Sequence, residues 1–263
     1  TVGVARALRH RRGTSDPVGD PRPQRSTPAS RARSAEPRWA TVTVSASEWD
    51  AVAARHGGTP NALFIAVVTG LLRSGGYAPM GVPLKVGVPV DRRNGTDDDR
   101  ANATAGVSVL LTDDPAPGED LSRIRRACKE AYTRLANGTR APTAHLHPLV
   151  WLLPTRLLVS AASAGSGMPD AVVSNLGDVD DAVLRVGGHR ARRLAFRGTA
   201  QGVDPAGDHR FGDGVQSWSL RTSEHVTFSV LAFDESVFAD EHSLRALLAE
   251  ELAAWGLTTS DIW

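Results

Sequence analysis

Ser174 and Asn175 stand side by side at the end of a short apolar run, Asp170 to Asn175 (DAVVSN), just ahead of Gly177. A hydroxyl and a carboxamide in that position can donate hydrogen bonds to an oxyanion as it develops on a carbonyl. The same pair can instead hold a strand-end turn by bonding backbone groups, and the residues alone leave both readings open. Asn61 offers another amide, at the start of an apolar segment, and serves equally as an active-site amide or as support for a helix N-terminus. A proton acceptor is harder to place. His209 is followed by Asp213 and Gly214 in the run DHRFGDG, and a neutral imidazole is a side chain that can accept a proton. A polar, glycine-rich loop ahead of the next strand accounts for the same residues more simply.

Other chemistries find little support. His145 and His147 are close, but Pro148 follows and no third ligand stands at metal spacing, so no metal site is expected. The glycine pairs at 57–58, 75–76 and 187–188 lack a following Lys-Ser or Lys-Thr and read as helix stops or turns, not phosphate loops. No Gly-x-Ser-x-Gly elbow is present. Cys128 is the single cysteine, so no internal disulfide can form, and its neighbourhood IRRACKEAY reads as a helix with a core thiol. A formal net charge of +1 gives no reason to expect a nucleic-acid partner. No apolar run reaches the ~18 residues of a membrane span; Ala62 to Leu72 and Leu149 to Ala162 are the longest. The N-terminus lacks the apolar core of a signal peptide, and the single cysteine fits a reducing cytoplasm. It begins with Thr1, which suggests a fragment or a processed product.

The elements that must position these residues follow from periodicity and punctuation. Residues 1–37 are rich in Arg, Pro and Ser and read as a flexible linker or arm, because they cannot bury enough surface to offset ordering entropy. A basic arm could touch an anionic membrane surface; without interleaved aromatics it makes a poor nucleic-acid ligand. The ordered domain, 38–263, opens with a strand Trp39 to Val44. A helix Glu48 to Arg55 follows, capped by Ser45 or Ser47 and ended by His56-Gly57-Gly58. Thr59 caps the next helix and Pro60 sits at its first position, ahead of Asn61 to Arg73, which is apolar on nearly every face and so belongs in a core. Strands are expected at Leu84 to Val90, Ala105 to Leu111, Asp170 to Asn175, Val183 to Val186, Arg192 to Gly198, Val215 to Leu220 and His225 to Phe233, the last two as a hairpin. Helices are expected at Leu121 to Leu135, Leu149 to Ala162 and Leu244 to Trp255. The mixture argues for an α+β domain, a mixed β-sheet packed with helices.

The order of these elements and four local sequences carry a resemblance. GGTPNALFIAVVTGLLR, LKVGVPVDRR, NATAGVSVLLTDDP with DLSRIRRACKEAY, and DAVVSNLGDVDDAVLRVGG occur in that order. Together the chain resembles the C-terminal lobe of the wax ester synthase/diacylglycerol acyltransferase group. That group lies within the CoA-dependent acyltransferase superfamily, with the condensation domains and chloramphenicol acetyltransferase-like enzymes. It departs from the group where Asn61-Ala62 replaces the usual Asn-Asp, and where Ser174-Asn175-Leu176-Gly177 replaces Ser-Asn-Val-Pro-Gly.

The resemblance implies one lobe of a two-lobed fold and transfer of an acyl group from CoA, or from a carrier protein, to a hydroxyl or amine acceptor. The acceptor would be a small molecule or a lipid. CoA would be a substrate, so no resident cofactor is implied. Asn61, Ser174, Asn175 and Gly177 would line the substrate tunnel. The superfamily's catalytic histidine is the second of His-His-x-x-x-Asp-Gly in the N-terminal lobe, and no such run occurs in this sequence. DHRFGDG is a near match, in which the resemblance would make His209 the base and Asp213 its structural partner, but it falls where the C-terminal lobe has a variable loop. The chain alone is therefore expected to be inactive until an N-terminal lobe, from a separate chain or from the parent protein, completes it. Otherwise it is a binding or scaffolding module that kept the fold.

Overall fold

The computed structural model describes residues 37–93, 97–100, 103–112, 115–137, 169–198 and 214–263. Nearly all of them lie in one compact unit, residues 30–131 and 169–263; of a second unit, 1–29 and 132–168, only 132–137 are described. The arm, the expected helix at 149–162, the His145/His147 pair and the His209/Asp213 run lie outside the described residues.

A seven-stranded mixed sheet organises the main unit. The strands are β1 (Arg38–Ser45), β2 (Leu84–Asp91), β3 (Thr104–Leu111), β4 (Ala171–Asp178), β7 (Val215–Arg221), β8 (His225–Ala232) and β9 (Thr259–Ile262), and β5 (Arg185–Val186) with β6 (His189–Arg190) forms a separate small hairpin. The large sheet runs in the order β3-β2-β4-β7-β8-β1-β9. β2, β4 and β7 are parallel neighbours, and every other pairing is antiparallel.

Three helices cover one face. They are α1 (Ala46–Arg55), α2 (Pro60–Ser74) and α4 (Glu241–Ala254); α3 (Ser122–Ala136) follows β3. α2 lies against β4 and β7, and α4 against β1 and β9. Every residue of α2 from Ala62 to Thr69 is buried, as its all-round apolar sequence requires. Its start is set by Thr59, whose hydroxyl accepts from Ala62 N at 3.2 Å, with Pro60 in the first turn. Phe228 of β8 joins the layers, with its ring 5.6 Å from Trp49 of α1 and 5.4 Å from Phe64 of α2. Cys128 is buried in α3 and burial pushes its thiol up to about 11, so it is a core thiol and not a nucleophile at neutral pH.

The other face of the sheet carries a polar stripe. Thr41 pairs with Ser229 at 3.1 Å and Thr43 with Thr227 at 3.2 Å, all four being buried. Here the structure corrects the sequence reading. Arg192 to Gly198 is not a strand; it is irregular chain anchored by side chains, with Phe196 6.1 Å from the Trp218 ring and Arg197 over Trp39 and bonded to Thr41. Consecutive side chains, Phe196 and Arg197, both reach the sheet, so side-chain contacts and not backbone pairing hold this segment. The stretch expected as a strand at Val183 to Val186 instead begins with a 3-10 turn, Asp181–Leu184, capped by Asp180, and only Arg185–Val186 pairs. β9 has no apolar alternation and was not foreseen; it binds the β1 edge through reciprocal bonds between Thr41 and Trp263.

Candidate functional site

Parallel strands β4 and β7 end side by side, with Asn175 beside Ser219 and Asp178 beside Arg221. A cavity of about 440 Å³ lies at these ends, between them, α1 and the first turn of α2. That volume suits a small molecule or one part of a larger substrate. Trp49, Ala53, Phe64 and Val226 make its apolar wall, and Asp50, Asn175, Asp178, Ser219 and Arg221 its polar end.

The alternation of β4 decides which side chains enter. Ala171, Val173 and Asn175 share the helix-covered face, whereas Ser174 projects to the opposite one, in register with Trp218. Asn175 lines the cavity and Ser174 does not. The two side chains that the sequence suggested as joint donors are therefore separated by the sheet. Gly177, with φ of +81°, turns the chain so that its N–H donates to Asn175 Oδ1 at 2.9 Å. That bond fixes the carboxamide and leaves its NH2, among the described residues, without an acceptor. The strand-end turn and a place in the cavity lining are thus compatible: the carboxamide oxygen serves the turn while Asn175 lines the cavity.

Arg221 closes the polar end. It donates to both carboxylate oxygens of Asp50, at 2.7 and 2.6 Å, and its Nε lies 3.5 Å from Asp178. The hydrogen bonds to Asp50, followed by the attraction of both carboxylates, raise the guanidinium's pKa above its ordinary value, so it stays charged at any working pH. One cation against two carboxylates leaves this end net negative, which disfavours a phosphate there. Asp50, Asp178 and Arg221 were not singled out from the sequence. The signal was present in VQSWSLR, where period-two alternation puts Arg221 on the same inward face as Val215, Ser217 and Ser219.

Asn61 stands near, but not in, the cavity wall, while its neighbours Pro60 and Phe64 line it. It does not cap α2, since Thr59 does. Its Oδ1 is buried without a hydrogen-bond partner among the described residues, an arrangement that costs free energy. Among the described residues no group of three or more His, Cys, Asp or Glu could hold a metal ion, and no helix is long and apolar enough to cross a membrane.

No protein-family model and no curated protein matches the sequence. Solved structures do match in shape. The wax ester synthase/diacylglycerol acyltransferase from Marinobacter aquaeolei VT8 aligns with a TM-score of 0.53 at 18% identity, over 97% of this chain and 56% of that one. The condensation domain from the monacolin K polyketide synthase MokA aligns at 0.56 and 13% identity, over 96% and 56%. The trichothecene 15-O-acetyltransferase TRI3 from Fusarium sporotrichioides aligns at 0.50 and 11% identity, over 83% and 47%. The chain spans about half the length of each. The chain therefore shares its fold, an α+β architecture built on a mixed sheet, with about half of each of these solved structures.

Proposed function

We propose that this chain is the C-terminal lobe of an acyltransferase that moves an acyl group from a CoA or carrier-protein thioester to a hydroxyl or amine acceptor. The observation that carries this reading is the cavity at the ends of β4 and β7, lined by Asn175, whose Oδ1 is tied to the Gly177 N–H. In the reaction, an imidazole of a preceding lobe takes the acceptor's proton as the acceptor attacks the thioester carbon. The C–S bond then breaks, and the departing thiolate takes the proton from the imidazolium. Asn175 donates to a substrate carbonyl and steadies it. The net-negative polar end suits a neutral or amine-bearing group, and the phosphates of CoA would lie elsewhere.

A second reading is a binding module without chemistry. It is favoured by one feature: the described cavity lining has no histidine, and its carboxylates are tied to Arg221. The two readings separate on thioester turnover. An N-terminal half bearing His-His-x-x-x-Asp-Gly, supplied with this chain, should release free thiol from acyl-CoA in the presence of acceptor. Acyl-CoA or acceptor binding without any turnover, by the chain or by the pair, would favour the module.

A further inference from the structure

Between Ala182 and Val203 the sequence carries five arginines and no aspartate or glutamate, in a protein whose formal net charge is only +1. Three of the five are held by the body of the protein. Arg190 pairs with Glu224 at 3.3 Å, Arg193 pairs with Asp261, and Arg197 lies over Trp39. Arg185 and Arg192 are exposed and form no ion pair among the described residues.

The hairpin of β5 and β6 projects from this stretch. Gly187 and Gly188, with φ of +56° and +82°, make the tight two-residue turn that only glycine accepts readily. Register sets Arg185 across from Arg190 and Val186 across from His189. The Arg190–Glu224 bond ties the hairpin to the β7–β8 turn, and Arg185, Val186 and His189 all remain exposed. Val186 is 69% exposed, and Val183 in the preceding turn is 55% exposed.

We propose that this hairpin is a docking element for an anionic bilayer surface. The apolar tip enters the boundary between headgroups and acyl chains, and Arg185 and Arg192 meet lipid phosphates. Two features favour a bilayer over an acidic protein. Two isolated valines on a narrow hairpin fall far short of the contiguous area that a specific protein interface buries. A small apolar tip beside unpaired guanidinium groups is, however, enough for reversible attachment to a charged interface. The proposal does not depend on acyl transfer.

The test is vesicle co-sedimentation of the full chain at low ionic strength. Phosphatidylcholine vesicles with a quarter phosphatidylglycerol would be compared with pure phosphatidylcholine. Binding should require the anionic lipid. At about fivefold per surface arginine, the R185Q/R192Q double variant should bind on the order of 25-fold more weakly. V186S should bind several-fold more weakly, and thermal melts of both variants should match the parent, since all three residues are exposed. Equal binding by the variants would assign attachment to another segment, such as residues 1–36, and overturn the proposal. So would equal binding to neutral vesicles, no binding at all, or full competition by millimolar inorganic phosphate, which would mark a simple anion site.

Discussion

Replacing Glu251 with glutamine should stabilise the protein by about 3 kcal/mol at pH 8 and change it little at pH 4.5. Glu251 lies in α4, only 6% exposed, against the α2 helix at Gly70, where any Cβ would overlap its carboxylate. Trp255 Nε1 donates to its Oε1 at 3.0 Å, and no cation pairs with it among the described residues. Burial raises its pKa from 4.5 to about 7, against a smaller lowering by the Trp255 bond. The sign follows directly. Above pH 4.5 the unfolded chain releases this proton while the folded protein keeps it until about pH 7, so stability falls across that window and then levels off. At about 1.4 kcal/mol per pH unit the accumulated penalty is about 3 kcal/mol. Glutamine keeps the acceptor for Trp255 and cannot ionise. Urea or thermal unfolding from pH 4.5 to 8 reads the effect, as a melting shift of roughly 6–10 °C at the alkaline end. Parallel pH profiles for parent and variant would refute the reasoning, because Glu251 would then ionise equally well in both states.

Other substitutions test the site. Asn175→Ala should lower turnover of the completed enzyme at least tenfold, whereas Ser174→Ala, on the opposite face of the sheet, should leave it within about twofold; steady-state kinetics with one acyl-CoA decide. Asp50→Ala removes a bidentate partner of part-exposed Arg221 and should cost about 1 kcal/mol of stability by urea unfolding, more than an ordinary surface pair. Asn61→Ala removes a buried oxygen that has no partner among the described residues, so urea unfolding should show stability unchanged or raised by up to about 1 kcal/mol. Tyr77→Phe deletes a 2.8 Å bond to buried Asp170 and should cost about 1–2 kcal/mol in the same assay.

Much of the fold was legible in the sequence because the strongest elements agree at every level. α2 has a cap, a first-turn proline, an apolar run and a glycine stop, and it forms as written. The β7–β8 hairpin alternates cleanly and pairs as expected. What was hidden depends on distant partners. β9 exists because β1 offers an edge, not because Thr259–Ile262 has strand character. Residues 192–198 lie on the sheet through the adjacent side chains of Phe196 and Arg197, which reach Trp218, Trp39 and Thr41 without strand pairing. At the site, Asn175 and Gly177 were visible as a strand end. That Ser174 faces away follows from the pleat, which the sequence already contained. Asp50 and Arg221 are 171 residues apart and meet only in the fold.

The most direct test of the central claim is free-thiol release from a panel of acyl-CoAs with a hydroxyl or amine acceptor. It would be measured for this chain alone, for its His209→Ala variant, and for the chain combined with an N-terminal half bearing His-His-x-x-x-Asp-Gly. The account predicts acceptor-dependent turnover only in the combination, reduced by Asn175→Ala and indifferent to His209→Ala. Turnover by the chain alone that is abolished by His209→Ala would contradict it, and would place the catalytic base in the DHRFGDG run.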